Sequence, residues 1–126
     1  MSFAVMLYAD HGEEFTRDGL VELFLNMGAV YQEDEYYTDK GEIPPMPYPG
    51  LYGCINVVEK LRTNEHGFTC VAWVNLGKAA KIDEQLPILM QIADKSGFKF
   101  MDDDADGGFV ELDAEGIKQR FIQETA

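Results

Sequence analysis

The apolar run Phe68–Leu76 is the feature of the sequence that most constrains the fold. Along it, Cys70, Ala72 and Val74 alternate with Val71 and Trp73, so a strand built from it is apolar on both faces. The run therefore predicts a central strand. A second β-like run, residues 54–61, precedes it, and the polar residues 62–67 between the two have the composition of a hairpin connection.

The remaining patterns predict a single α+β domain over residues 1–126. We expect a mainly antiparallel sheet of about five to six strands with three helices, in the order β-α-β-β-β-α-β-β-α. Helix starts are expected at Thr16, at Asp83 with Pro87 in its first turn, and near Asp113, and the first two helices are expected to end at Gly28 and Gly97. The other expected strands cover residues 3–8, 29–37 as an edge strand, 98–101 and 109–112. A long surface loop is predicted for the proline-rich residues between Thr38 and Gly53.

The balance of charge excludes several kinds of partner. The chain has 23 Asp and Glu against 10 Lys and Arg, a formal charge of -13, which repels phosphate backbones and anionic lipid headgroups. We therefore expect no binding to nucleic acid and none to membranes. The two cysteines, Cys54 and Cys70, lie in apolar runs and are expected to be reduced and buried in a cytoplasmic protein.

Tyrosines and carboxylates are concentrated together in the sequence between residues 31 and 52. Rings that are buried on binding, next to carboxylates that pair with Lys and Arg, are typical of a surface that binds a basic protein. The alternative is a solvated acidic face with its tyrosines half in the core. The predicted binding residues, called here the acidic patch, are Glu33, Asp34, Glu35, Tyr36, Tyr37, Asp39 and Glu42; Tyr31, Tyr48 and Tyr52 flank them.

The loop Asp102–Asp113 resembles an EF-hand calcium loop. Carboxylates at its first, third and fifth positions, a glycine at the sixth and an acid at the twelfth place alternate oxygens around one hard cation. The candidate Ca²⁺ ligands are Asp102, Asp104 and Asp106. The alternative is a β-hairpin turn in which Gly107 and Gly108 supply positive φ angles.

The sequence contains no recognisable catalytic motif. There is no nucleophile elbow and no phosphate-binding glycine loop. The two histidines, His11 and His66, fall in predicted loops without a partner at a metal-ligand spacing. Beyond the possible Ca²⁺ no cofactor is implied, and we expect a protein that binds rather than catalyses.

Two family resemblances extend these expectations. In size, acidity and the segment Ala93–Asp102, the chain resembles small bacterial toxin-immunity proteins of the contact-dependent inhibition type. That resemblance implies an inhibitor that occludes the active site of a cationic cognate toxin domain, often a nuclease. The segment Asp104–Leu112 is similar to the hairpin of vicinal oxygen chelate proteins, which implies a small-molecule or drug-binding protein or enzyme as the alternative.

Overall fold

Alternating burial along the first strand, β1 (Phe3–Asp10), defines the two layers of the structure. Phe3, Val5 and Leu7 are buried, whereas Ala4 and Met6 between them are exposed. A strand places successive side chains on opposite faces of its sheet, so one face carries the core. The structure is a computed structural model that describes residues 3–104 and 108–126, without the side chain of Asp104.

Besides β1, the strands are β2 (Met46–Pro47), β3 (Gly53–Thr63), β4 (Phe68–Leu76), β5 (Lys99–Asp104) and β6 (Gly108–Glu111). These six strands form one antiparallel sheet in the spatial order β2-β3-β4-β1-β5-β6. The helices are α1 (Arg17–Met27), α2 (Glu35–Thr38), α3 (Ile82–Ser96) and α4 (Ala114–Thr125), and a short 3₁₀ turn covers Gly12–Glu14. The predicted α+β class with its antiparallel sheet is confirmed.

Three of the helices cover the buried face of the sheet. Leu20 and Phe24 of α1, Leu89 of α3, and Ile117 and Phe121 of α4 belong to the same buried cluster as the inward residues of β1. The ring of Phe121 meets that of Phe3 edge to face, with 5.5 Å between centroids. None of the helices in the described part of the chain has both the length and the apolar character needed to cross a membrane.

The apolar run that predicted a central strand forms β4, which lies between β3 and β1. Its regular alternation does not persist, because the register with β1 shifts between Leu7 and Tyr8. Val71 and Ala72 are consequently both buried, although they are neighbours in sequence. Such a bulge adds one residue to a strand, so the side chains after it lie on the opposite face of the sheet from the one that regular alternation would give.

Local capping sets the bounds of two helices where the sequence predicted them. The Thr16 hydroxyl accepts a hydrogen bond from the Gly19 N–H at 3.0 Å, and α1 ends at Gly28, whose φ of 116° suits glycine. The Asp113 carboxylate caps α4 in the same way, by accepting from Gly116 at 2.8 Å. Both predicted starts are confirmed.

The start of α3 differs from the prediction. The helix begins at Ile82 after Lys81, so Asp83 lies in the first turn and is not the cap. Pro87 is therefore in the second turn, where its missing N–H leaves the Asp83 carbonyl without an intrahelical partner. Both residues are exposed, so the proline lies on the side of the helix that water reaches.

The predicted edge strand over residues 29–37 is wrong. The described backbone there has a single hydrogen bond to β2, from the Val30 N–H to the Pro47 carbonyl at 2.9 Å, and residues 35–38 form α2 instead. The proline-rich neighbour explains this difference, because proline has no N–H for a strand ladder. That loop itself contributes the short strand β2, which the sequence did not predict.

Candidate functional site

The acidic patch lies on the surface, as the sequence predicted, with all of its residues exposed except the half-buried Tyr37. Two flanking apolar side chains are also open to solvent, since Val30 is 48% exposed and Tyr31 is 44% exposed. Within the patch Tyr36 is 65% exposed. Large apolar side chains grouped on one segment are a common mark of an interaction surface.

The fold holds both ends of this segment to the body of the protein. At one end Ala29 is buried, and its N–H donates to the Phe24 carbonyl at 3.0 Å. Just beyond the other end Pro44 is buried, and within the segment the Glu42 N–H donates to the Tyr37 carbonyl at 2.9 Å. The patch is therefore presented on anchored backbone.

A short helix, not a strand, sets the directions of the carboxylates. The Asp34 carboxylate accepts a hydrogen bond from the Tyr36 N–H at 2.9 Å and thereby caps α2. The predicted edge strand would have placed Glu33 and Glu35 on one face, but Glu35 is the first residue of the helix and Glu33 precedes its cap. Asp34 thus has a structural role within the patch.

The tyrosines of this region do not form one group. Tyr36 and Tyr37 pack edge to face at 5.0 Å, and the Lys40 ammonium lies 3.9 Å above the Tyr36 ring. This contact shows that the exposed ring already binds a cation. Tyr48 is buried and its hydroxyl lies 3.4 Å from the Gln91 side chain, so it is not part of the surface.

A cleft of about 320 Å³ lies beside the patch. Glu33, Asp34 and Tyr37 line one side of it, and Pro44 and Pro45 contribute to the other. Proline fixes its own backbone φ angle, so this wall is stiff. The arrangement offers a preformed recess next to carboxylates, which can receive a long basic side chain.

The second predicted site forms a hairpin across its described residues. Asp102 of β5 pairs in register with Val110 of β6, and its carboxylate forms an ion pair with Arg120 of α4. Asp106 and the side chain of Asp104 lie outside the described residues. No cluster of three or more potential metal ligands occurs among the side chains that the structure describes, and calcium binding by this loop stays an untested alternative.

Of the two cysteines, Cys54 lines the cleft beside the acidic patch, whereas Cys70 lines a separate cleft together with Tyr8. Both cysteines are free and half-buried, not fully buried as expected. Burial raises the pKa of the Cys70 thiol, which the neighbouring Tyr8 hydroxyl partly offsets. His66 stacks on the Phe109 ring at 5.4 Å. A thiol with a raised pKa is a poor nucleophile at neutral pH.

A further cleft, which the sequence did not predict, surrounds Arg17. It has a volume of about 210 Å³ and brings Arg17 together with Tyr37, Glu59 and Trp73. These residues come from separate parts of the chain, so no spacing in the sequence reveals them. The one local signal is the position of Arg17 in the first turn of α1, where the helix dipole disfavours a positive charge.

No protein-family model, no curated protein and no solved structure gives a significant match to this chain.

Proposed function

We propose that this chain is a non-enzymatic acidic protein that binds a basic protein partner through the acidic patch. The observation that carries the proposal is the grouping of three exposed large apolar side chains, Val30, Tyr31 and Tyr36, among the carboxylates of one anchored segment. Interfaces commonly have aromatic residues at their centre and charged groups around them.

The charge of the whole chain supports the same kind of partner. A net charge of -13 attracts a basic surface over several ångströms and accelerates the encounter. Carboxylates such as Glu33 and Glu35 are exposed and remain free to pair with Lys or Arg of the partner. The apolar side chains then supply the buried area that slows dissociation.

The finer proposal is that the partner is a cognate toxin domain and that this chain is its immunity protein. The resemblance of Ala93–Asp102 to immunity proteins, together with the size and acidity of the chain, supports this assignment. Inhibition then follows from steric and electrostatic occlusion, because the carboxylates cover the basic cleft that the toxin uses for its substrate.

The test uses the protein encoded by the gene next to that of this chain. We expect tight binding that weakens as salt increases. We expect Glu33→Gln combined with Glu35→Gln to raise the dissociation constant about tenfold or more. Asp34 is left unchanged because it caps α2. The matched control is Glu13→Gln combined with Glu14→Gln, which removes the same charge from the exposed 3₁₀ turn.

Two results would contradict these proposals. Equal weakening by the control pair would show that total charge, not the acidic patch, determines binding. A neighbouring gene product that has no toxic activity relieved by this chain would overturn the immunity assignment.

A further inference from the structure

The cleft around Arg17 combines one guanidinium, two carboxylates and two aromatic rings. It lies where the start of α1 and the segment after α2 meet β3 and β4, and its charged residues are Arg17, Glu42 and Glu59. Tyr37 and Trp73 supply the rings. Its volume of about 210 Å³ is below the about 300–1,000 Å³ of sites for drug-sized ligands, so the cleft suits a molecule the size of an amino acid.

Arg17 has hydrogen-bonding capacity that the described residues do not use. Its Nε is shielded from solvent and has no hydrogen-bond partner in the described part of the chain. None of the ion pairs found among residues 3–104 and 108–126 includes it. A buried unpaired donor is costly, and a cation in the first turn of a helix is unfavourable. An external carboxylate that pairs with the guanidinium offsets the cost of the positive charge at the helix start.

The two glutamates restrict what that carboxylate belongs to. Glu42 and Glu59 line the same cleft and are exposed, and the chain carries a net charge of -13. A simple anion is therefore repelled from this surface. A ligand that also carries a cationic nitrogen pairs with the glutamates, and its aliphatic part packs on Trp73 and Tyr37.

We propose that this cleft binds a small zwitterion, namely a free amino acid with a basic side chain. Its carboxylate pairs with the Arg17 guanidinium, and its cationic nitrogens face Glu42 and Glu59. The proposal does not depend on a protein partner. Tyr37 and Glu42 also belong to the acidic patch, but Arg17, Glu59 and Trp73 do not.

The test uses the fluorescence of Trp73, which is the only tryptophan in the chain. The full chain is titrated at constant ionic strength with L-lysine, with cadaverine, which lacks the carboxylate, and with hexanoate, which lacks the cationic nitrogens. We expect a saturable change with L-lysine and a dissociation constant below about 1 mM. Cadaverine and hexanoate are each expected to bind at least about tenfold more weakly.

Substitutions assign the effect to the cleft. We expect Arg17→Gln to weaken L-lysine binding at least about tenfold, and the control Arg62→Gln, at an exposed position of β3, to leave it unchanged. If circular dichroism shows that Arg17→Gln is unfolded, Glu59→Gln is titrated with L-lysine in its place. This variant tests the cleft by removing a carboxylate that pairs with the cationic nitrogens of the ligand. No saturable change with L-lysine, equal binding of cadaverine, or full binding by a folded cleft variant would overturn the proposal.

Discussion

The side-chain oxygen of Gln85 accepts a hydrogen bond from the backbone N–H of Tyr52 at 2.8 Å. Its amide nitrogen donates to the Gly50 carbonyl at 3.3 Å, and the residue is only 6% exposed. One buried amide of α3 thus holds both the donor and the acceptor of the turn that leads into β3. This contact ties the proline-rich loop to the helical layer.

We expect Gln85→Leu to lower the free energy of unfolding by about 1–3 kcal/mol, because it leaves the Tyr52 N–H and the Gly50 carbonyl without their partner. Urea unfolding monitored by circular dichroism measures the change. The matched variant is Gln123→Leu, at an exposed position of α4, where we expect less than about 0.5 kcal/mol. Equal losses of unfolding free energy in the two variants would show that the hydrogen bonds of the buried Gln85 amide do not account for the effect.

Stability should fall at high pH because of Tyr8. Burial, followed by the nearby Cys70 and Asp103, raises the pKa of Tyr8 from 10.0 to about 12. The folded state therefore holds this proton more tightly than the unfolded state does. The resulting contribution to the free energy of unfolding is complete below pH 10 and is lost as the pH rises towards 12. We expect Tyr8→Phe to flatten the decline in urea-unfolding free energy over this range. Tyr36→Phe, at an exposed ring, serves as the control, and a decline that persists unchanged in Tyr8→Phe would refute the assignment.

Calcium should have little effect on the folded chain. The Asp102 carboxylate is paired with Arg120 across β5 and α4, so a cation at this position has to displace the guanidinium. We expect millimolar Ca²⁺ to shift the melting temperature, measured by calorimetry, by less than about 1 °C. A clear rise that Asp104→Ala abolishes would instead establish the EF-hand-like interpretation of this loop.

Local signals in the sequence predicted several elements correctly. Thr16 and Gly28 mark the ends of α1, and Asp113 marks the start of α4, because caps depend on groups within a few residues of the helix end. The hairpin of β3 and β4 followed from two apolar runs around a short polar connection. The exposure of the acidic patch was also predictable from its density of carboxylates.

Elements that depend on a distant partner were predicted less well. Residues 29–37 have strand-forming side chains at both ends, but the neighbouring segment contains Pro47 and offers few ladder donors. Asp34 then caps a helical turn, which satisfies the local backbone without a partner strand. In the sequence Tyr48 is not distinguished from the exposed tyrosines near it, but in the structure it is buried.

The sequence by itself determined the α+β class, the main hairpin, the N-caps of α1 and α4 and the strongly acidic surface, because each follows from local periodicity, capping chemistry or summed charge. Only the tertiary structure decided that the acidic patch is presented on a short helix and that Arg17 shares a cleft with Glu59 and Trp73. These arrangements depend on contacts between residues far apart in the chain, and the pairing of strands and the packing of helices select them.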